Sequence, residues 1–160
     1  MSCLTKEKLK EILLYDEECG QFYRRGKIRK GLHVGEVAGS TTSTGYWRIT
    51  IEKKEYLAHR LAWLYMKGEW PEKDIDHING NPQDNRWSNL RLCSKRESNL
   101  NRGVLSNSRT GVKGVKLLVS GRFQVLVDNK SYGTYPDLEL AEMVAQEVRN
   151  KVHGEFARHG

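Results

Sequence analysis

The sequence predicts an α+β protein made of small antiparallel sheets with short helices laid against them. Three observations carry that class. The segment 48–52 (RITIE) alternates apolar and polar residues as a half-buried strand does. The stretch 75–92 sets two short apolar runs about an Asn-Gly-Asn-Pro turn, with a helix-start signature just beyond it. The last third reads strand, turn, strand, turn, strand and then an amphipathic helix.

From the N-terminus, Thr5 is suited to cap a short helix with Leu9, Ile12 and Leu13 on one face. Residues 20–55 read as β-rich and basic. Phe22, Tyr23, Val34, Val37, Tyr46, Trp47, Ile49 and Ile51 are interrupted by glycines and by the run 24–30 (RRGKIRK), which either tracks phosphates or is a solvated loop. The spacing of Leu57, Leu61, Leu64 and Tyr65 predicts a core-facing helix over 56–67, ended by Gly68. His59 and Arg60 lie on that helix. Arg60 is placed to reach a phosphate and His59 to brace a reaction centre, although a lone helical histidine is more often structural. Ser94 and Glu97 form a capping box, so a helix carrying Asn99, Asn101 and Arg102 is expected from Ser94. The tract 103–110 (GVLSNSRT) has no periodicity and reads as a linker.

Beyond it, strands are expected at 115–119, 122–127 and 131–135, with turns at Ser120-Gly121 and Asp128-Asn129-Lys130. Asp137 then caps a helix whose apolar face is Leu138, Ala141, Val144, Ala145, Val148 and Val152, and Gly154 stops it. Strand parity puts Val115, Leu117 and Val119, with Phe123, Val125 and Val127, toward the helix. Lys116 and Leu118, with Arg122 and Gln124, face the other way. This divides the chain into a module at 1–102, the linker at 103–110 and a second module at 111–160.

The bulk properties point to a polyanion. The 160 residues carry a formal net charge of +7, with a sequence pI near 9.4 and a mean hydropathy of −0.69. No apolar run is long enough for a membrane span and the N-terminus lacks a signal peptide's apolar core, so a cytoplasmic, membrane-free protein is expected. Cys3, Cys19 and Cys93 are odd in number and far apart, which implies reduced thiols, no disulfide framework and no zinc site. Cys93 lies in an apolar run and should simply be packed.

The chemistry concentrates in 75–102 (IDHINGNPQDNRWSNLRLCSKRESNLNR). Cutting a phosphodiester needs a water deprotonated and charge on the phosphate neutralised. Neutral histidine is a suitable base near pH 7, and a carboxylate suits a hard ion such as Mg²⁺, which keeps several waters. Neighbours on a strand point to opposite faces, so Asp76 and His77 can address one centre from two sides. Asn79, Asn81 and Asn85 read as turn and cap residues.

These residues resemble the HNH nuclease motif in its ββα-metal form. Asp76-His77 is followed twelve positions after His77 by Asn89, and then by a helix start. The surrounding 56–63 (YLAHRLAW), 68–71 (GEWP), 76–81 (DHINGN) and 85–87 (NRW) are similar to the phage HNH homing endonucleases, the resemblance spanning about 15–102. It implies a metal-dependent DNA endonuclease, with Mg²⁺ or Mn²⁺ as one ion per site. His77 would activate water, Asp76 would bind the ion, and Asn89 would hold the loop carrying His77 and fix its imidazole. The family's third position, twenty-two residues beyond Asp76, is usually Asn or His but here is Ser98. Three accounts stay open: Asn99 has taken the ligand role, Ser98 holds the ion through water, or Ser98 is an introduced change that silences cleavage.

The C-terminal pattern, from 114–116 (GVK) through 132–135 (YGTY) with Ala141 and Ala145 to 153–157 (HGEFA), resembles the AP2 DNA-binding domain. That resemblance implies a sheet lying in the major groove, where Lys116, Arg122 and Gln124 would meet DNA; Arg and Gln can read guanine and adenine edges. The combined expectation is a monomeric, homing-endonuclease-like enzyme acting on double-stranded DNA, encoded by a phage or a bacterium, with 5′-phosphate and 3′-hydroxyl products. The alternatives are a sequence-specific DNA-binding regulator with an impaired nuclease centre and, last, an RNA nuclease, for which no aromatic platform is visible.

Overall fold

The computed structural model describes residues 4–26, 34–104 and 107–158. The Lys27 to Lys30 part of the basic run, Cys3 and part of the expected linker lie outside them. The chain forms two compact units, Met1–Ser94 and Lys95–Gly160. The division falls ahead of the 103–110 tract, and the helix that follows Ser94 clusters with the C-terminal unit.

In the N-terminal unit, α1 (Lys6–Ile12) starts where Thr5 Oγ1 accepts from the Lys8 amide at 3.3 Å. It is shorter than its apolar pattern: Leu13 leaves the helix for β1 (Leu13–Asp16), which pairs with β2 (Gln21–Arg24). β3 (Ser40–Thr41), β4 (Trp47–Ile51) and β5 (Lys54–Leu57) make a three-stranded antiparallel sheet. Its tight β4–β5 turn puts Glu52 and Lys53 at φ 48° and 67°, the left-handed pair that a two-residue hairpin needs. α2 (Ala58–Lys67) begins after Leu57, which is extended, so the helix starts later than expected. Gly68 ends it at φ 91°, its amide bonded to the Leu64 carbonyl. Leu9, Leu13, Phe22, Ile49, Leu61 and Leu64 are fully or almost fully buried and form the core.

The central hairpin pairs β6 (Asp74–His77) with β7 (Leu90–Cys93), Asp76 opposite Arg91 and His77 opposite Leu90. A 3-10 turn, Trp87–Asn89, precedes β7. Leu90, Ile75 and Trp87 fasten this hairpin to the N-terminal core, and Cys93 is buried with it.

The C-terminal unit opens with α3 (Lys95–Leu100). β8 (Val115–Leu117), β9 (Phe123–Val127) and β10 (Lys130–Tyr135) follow as an antiparallel sheet in the order β10-β9-β8. α4 (Leu138–His153), capped by Asp137 Oδ1 accepting from the Leu140 amide at 2.8 Å, packs on that sheet. Val115, Val125 and Val127 face it from the strands, and Ala141 and Ala145 from the helix. Two expectations about this core fail. β8 ends at Leu117, because Leu118 instead bonds Arg122 across a turn, leaving Val119 fully exposed and Leu117 partly so. Val152 is exposed near the end of α4, whereas Arg149 is buried, its guanidinium donating to the Lys113 carbonyl.

Candidate active site

Asp76 and His77 close strand β6, and pairing with β7 fixes which way each points. Both are buried, at 7% and 5% exposure. Asp76 meets its cross-strand partner: Arg91 Nε and Nη2 both donate to Asp76 Oδ2, at 3.0 and 2.9 Å. His77, on the opposite face of the strand, packs against His59 of α2, the rings edge-on with centroids 5.1 Å apart. Tyr46 lies against both, 5.5 Å from His59 and 6.1 Å from His77. α2 therefore supplies one wall of the histidine's surroundings and the loop before β4 another.

Burial holds His77 below the ordinary histidine value of 6.5, against the opposing pull of the Asn85 hydrogen bond, Asp76 and Asp84. Burial likewise pushes His59 down to about 3, with His77 and Arg60 adding to the effect. Both imidazoles are therefore held in the uncharged form near neutral pH, His59 more strongly than His77, which also faces Asn85, Asp76 and Asp84.

The loop between the strands is tied by amides. Asn89 Oδ1 accepts from the Asn79 amide at 3.0 Å, and Asn89 Nδ2 donates to Asn79 Oδ1 at 3.0 Å and to the Asp84 carbonyl at 2.8 Å. The Ile78 amide adds a bond to the Asn89 carbonyl at 2.9 Å, continuing the ladder past His77. Asn79 and Asn81 make the turn contacts expected of them, to the amides of Asn81 and Gln83. Asp84 gathers Arg86 and Asn79, which hold its carboxyl down at about 2.

Asn85 is different. Expected to serve only the turn, it is 2% exposed and places Oδ1 3.1 Å from His77 Nε2. Its carbonyl accepts from the Tyr15 hydroxyl, 2.7 Å away on β1. The sequence offered no signal for this, since the partner is remote along the chain.

The remaining candidates are placed elsewhere. Arg60 is half-buried on α2, next to His59. Ser98, half-buried, and Asn99, exposed, are on α3 in the C-terminal unit. In that unit Asn99 and Lys116 line one cleft of about 440 Å³ together with Arg102 and Lys113. Burial, with Arg149 and Arg158 nearby, lowers Lys113 to about 8. Lys116 and Gln124 are cross-strand partners, as parity requires. Gln124 Nε2 donates to Ser131 Oγ at 3.2 Å, and Arg122 Nη2 donates to the Thr134 carbonyl at 3.0 Å.

Among the described residues no three His, Cys, Asp or Glu side chains cluster as a metal site. Asp76 offers one carboxylate, and a hard ion such as Mg²⁺ takes carboxylate oxygens together with several waters. Among the described residues, no helix is long and apolar enough to cross a membrane.

Comparison with known proteins adds three findings. Residues 56–100 match the model of the HNH endonuclease family. Protein 3.8 of Escherichia phage T7 is 32% identical over 106 residues, covering 62% of this chain and 87% of that protein. A solved structure described as DNA binding and cleavage by the HNH homing endonuclease I-HmuI aligns over 88% of this chain and 84% of its own, with a TM-score of 0.42 and 22% identity.

Proposed function

The chain belongs to the same family as Protein 3.8 of Escherichia phage T7 and carries an HNH endonuclease domain, and from that premise we propose that it is a metal-dependent DNA endonuclease of the homing-endonuclease kind. The observation that carries the reading is His77: a buried imidazole kept neutral, at the end of a strand whose preceding residue is a buried carboxylate. Neutral imidazole can take a proton at neutral pH.

In the proposed reaction a water oxygen attacks phosphorus while its proton passes to His77. The bond from phosphorus to the 3′ oxygen breaks, and the leaving oxygen takes a proton from water, giving 5′-phosphate and 3′-hydroxyl ends. Asp76 would hold one Mg²⁺ or Mn²⁺, with Ser98 or Asn99 as the other candidate ligand. Such an ion, when bound, neutralises charge on the phosphate and the leaving oxygen. Arg91 fixes the Asp76 carboxylate, and Asn89 ties down the loop that carries His77. The exposed cations of the C-terminal sheet and Arg60 would meet the phosphate backbone, and an AP2-like C-terminal unit would add affinity by tethering.

One observation favours a second reading. Position 98 is a serine, whose hydroxyl is a weaker ligand for a hard ion than an amide or carboxylate oxygen. On that reading the protein is a DNA-binding regulator with an impaired nuclease centre. Labelled duplex DNA and RNA, incubated with the full chain in Mg²⁺, Mn²⁺ or EDTA, separate these possibilities. Cleavage of DNA that needs the ion supports the enzyme. Tight DNA binding without cleavage in either metal supports the regulator, and cleavage of RNA alone removes both.

A further inference from the structure

We propose that Asn85 is the residue that positions the base: its side-chain oxygen takes the Nε2–H of His77, which leaves Nδ1 to accept the proton, and Tyr15 holds Asn85 in place. The inference rests on the reading of His77 as general base.

The nitrogen of a side-chain amide only donates and its oxygen only accepts. Asn85 Nδ2 is committed to the Gln83 carbonyl at 3.1 Å, so Oδ1 is the atom that faces His77 Nε2, at 3.1 Å. Two acceptors cannot face each other across a hydrogen bond, so Nε2 must carry the hydrogen. A neutral imidazole has one such hydrogen, and its lone pair is then on Nδ1. Both side chains are buried, Asn85 at 2% and His77 at 5% exposure, so water does not compete easily for the contact.

Asn85 is itself anchored from outside the matched 56–100 region. The Tyr15 hydroxyl donates to the Asn85 carbonyl at 2.7 Å. Tyr15 is buried on β1, its ring 4.7 Å from Phe22 and 5.6 Å from Tyr65, so the core fixes where the hydroxyl is. Burial raises its hydroxyl above the ordinary tyrosine value, which keeps it a donor. The β1–β2 connection also presses on the same peptide: a Cβ at Gly20 would lie 2.4 Å from the Asn85 carbonyl carbon and 2.3 Å from the Arg86 nitrogen. An N-terminal hairpin thereby sets the orientation of an imidazole more than fifty residues later in the chain. Orientation matters because misplacing a reacting group by ~1 Å can cost on the order of 100-fold in rate.

The test uses the full chain and two readouts. Long-range ¹⁵N–¹H spectra, with His77 assigned by its loss in His77→Gln, report which ring nitrogen is protonated whether or not DNA is cut. Steady-state cleavage gives kcat and KM. Wild type should show His77 protonated at Nε2, with a slowly exchanging hydrogen. Asn85→Leu should lose that signal and about tenfold or more of kcat, with KM for DNA changed by less than about twofold, within the range general-base catalysis supplies. Asn85→Asp keeps an acceptor oxygen toward Nε2 but loses the donor to the Gln83 carbonyl, so it should recover the signal and only part of kcat. Tyr15→Phe, which removes only the hydroxyl and keeps the packed ring, should lower kcat by a smaller factor and leave KM unchanged. An Nδ1-protonated wild type, an Asn85→Leu with unchanged kcat, or an Asn85→Asp no better than Asn85→Leu would each overturn the proposal. An Nε2-protonated His77 in a protein that cuts no DNA would uphold the arrangement of the imidazole and remove the nuclease reading instead.

Discussion

His59 shows how one buried side chain ties the centre to pH. Its Nδ1 has no hydrogen-bond partner among the described residues, and burial holds the ring near a pKa of about 3. In the unfolded chain a histidine titrates near 6.5. Above pH 6.5 neither state is protonated. Below it the unfolded state gains a proton that the folded state refuses until about pH 3, so stability falls as pH drops through that window, by on the order of a few kcal/mol. Urea unfolding from pH 7.5 to 4 should show wild type losing stability faster than His59→Phe; parallel curves would mean that the ring is not buried neutral. Ser98 carries a second prediction at this scale. Replacing it with Asn supplies an amide oxygen, so Ser98→Asn should raise the Mg²⁺-supported cleavage rate by about tenfold or lower the Mg²⁺ concentration at half-maximal rate. No change in either would move the ligand role to Asn99 or to another residue.

Helix caps were legible in the sequence because their signals are local. Thr5, Asp137 and Gly68 each act within a few residues, and each does what its position foretells. Element ends were less legible. The apolar spacing of α1 runs on into Leu13, which belongs to β1, since helix and strand faces can share one apolar residue at a junction. Val119 continues the alternation of β8 after the backbone has already turned. Asn85 was hidden for a different reason: an Asn in a polar loop looks like turn chemistry, and only the fold brings Tyr15 and His77 to it. The β1–β2 hairpin that achieves this turns at Gly20, φ 74°, where added carbon would collide with the Asn85–Arg86 peptide. Gly20→Ala should therefore destabilise the fold by on the order of 2 kcal/mol or more, combining left-handed strain with the clash. Gly26→Ala, where a Cβ would meet nothing within 4 Å, is the comparison. Equal melting temperatures for the two variants would contradict the close approach.

At the scale of the whole molecule, the class α+β and the C-terminal order of three strands and a helix followed from hydrophobic period and turn residues, and they match the structure. The units meet at Ser94 and Lys95, so α3 clusters with the residues beyond the polar tract 103–110, which reads as a linker from its composition alone. The net charge of +7 is expected to serve binding through exposed cations. If Lys116 and Arg122 contact phosphates, the double variant Lys116→Ala/Arg122→Ala should weaken duplex binding and flatten the plot of log K against log salt by about 0.9 for each lost contact. An unchanged slope would place the DNA on another surface.

The nicking of supercoiled plasmid by wild type and by His77→Ala, with Mg²⁺ and with EDTA, tests the central claim most directly. Wild type should nick the plasmid only with the ion, and His77→Ala should lose at least about 100-fold of that activity with DNA affinity retained. Equal nicking by the two proteins, or none by wild type in Mg²⁺ or Mn²⁺, would contradict it.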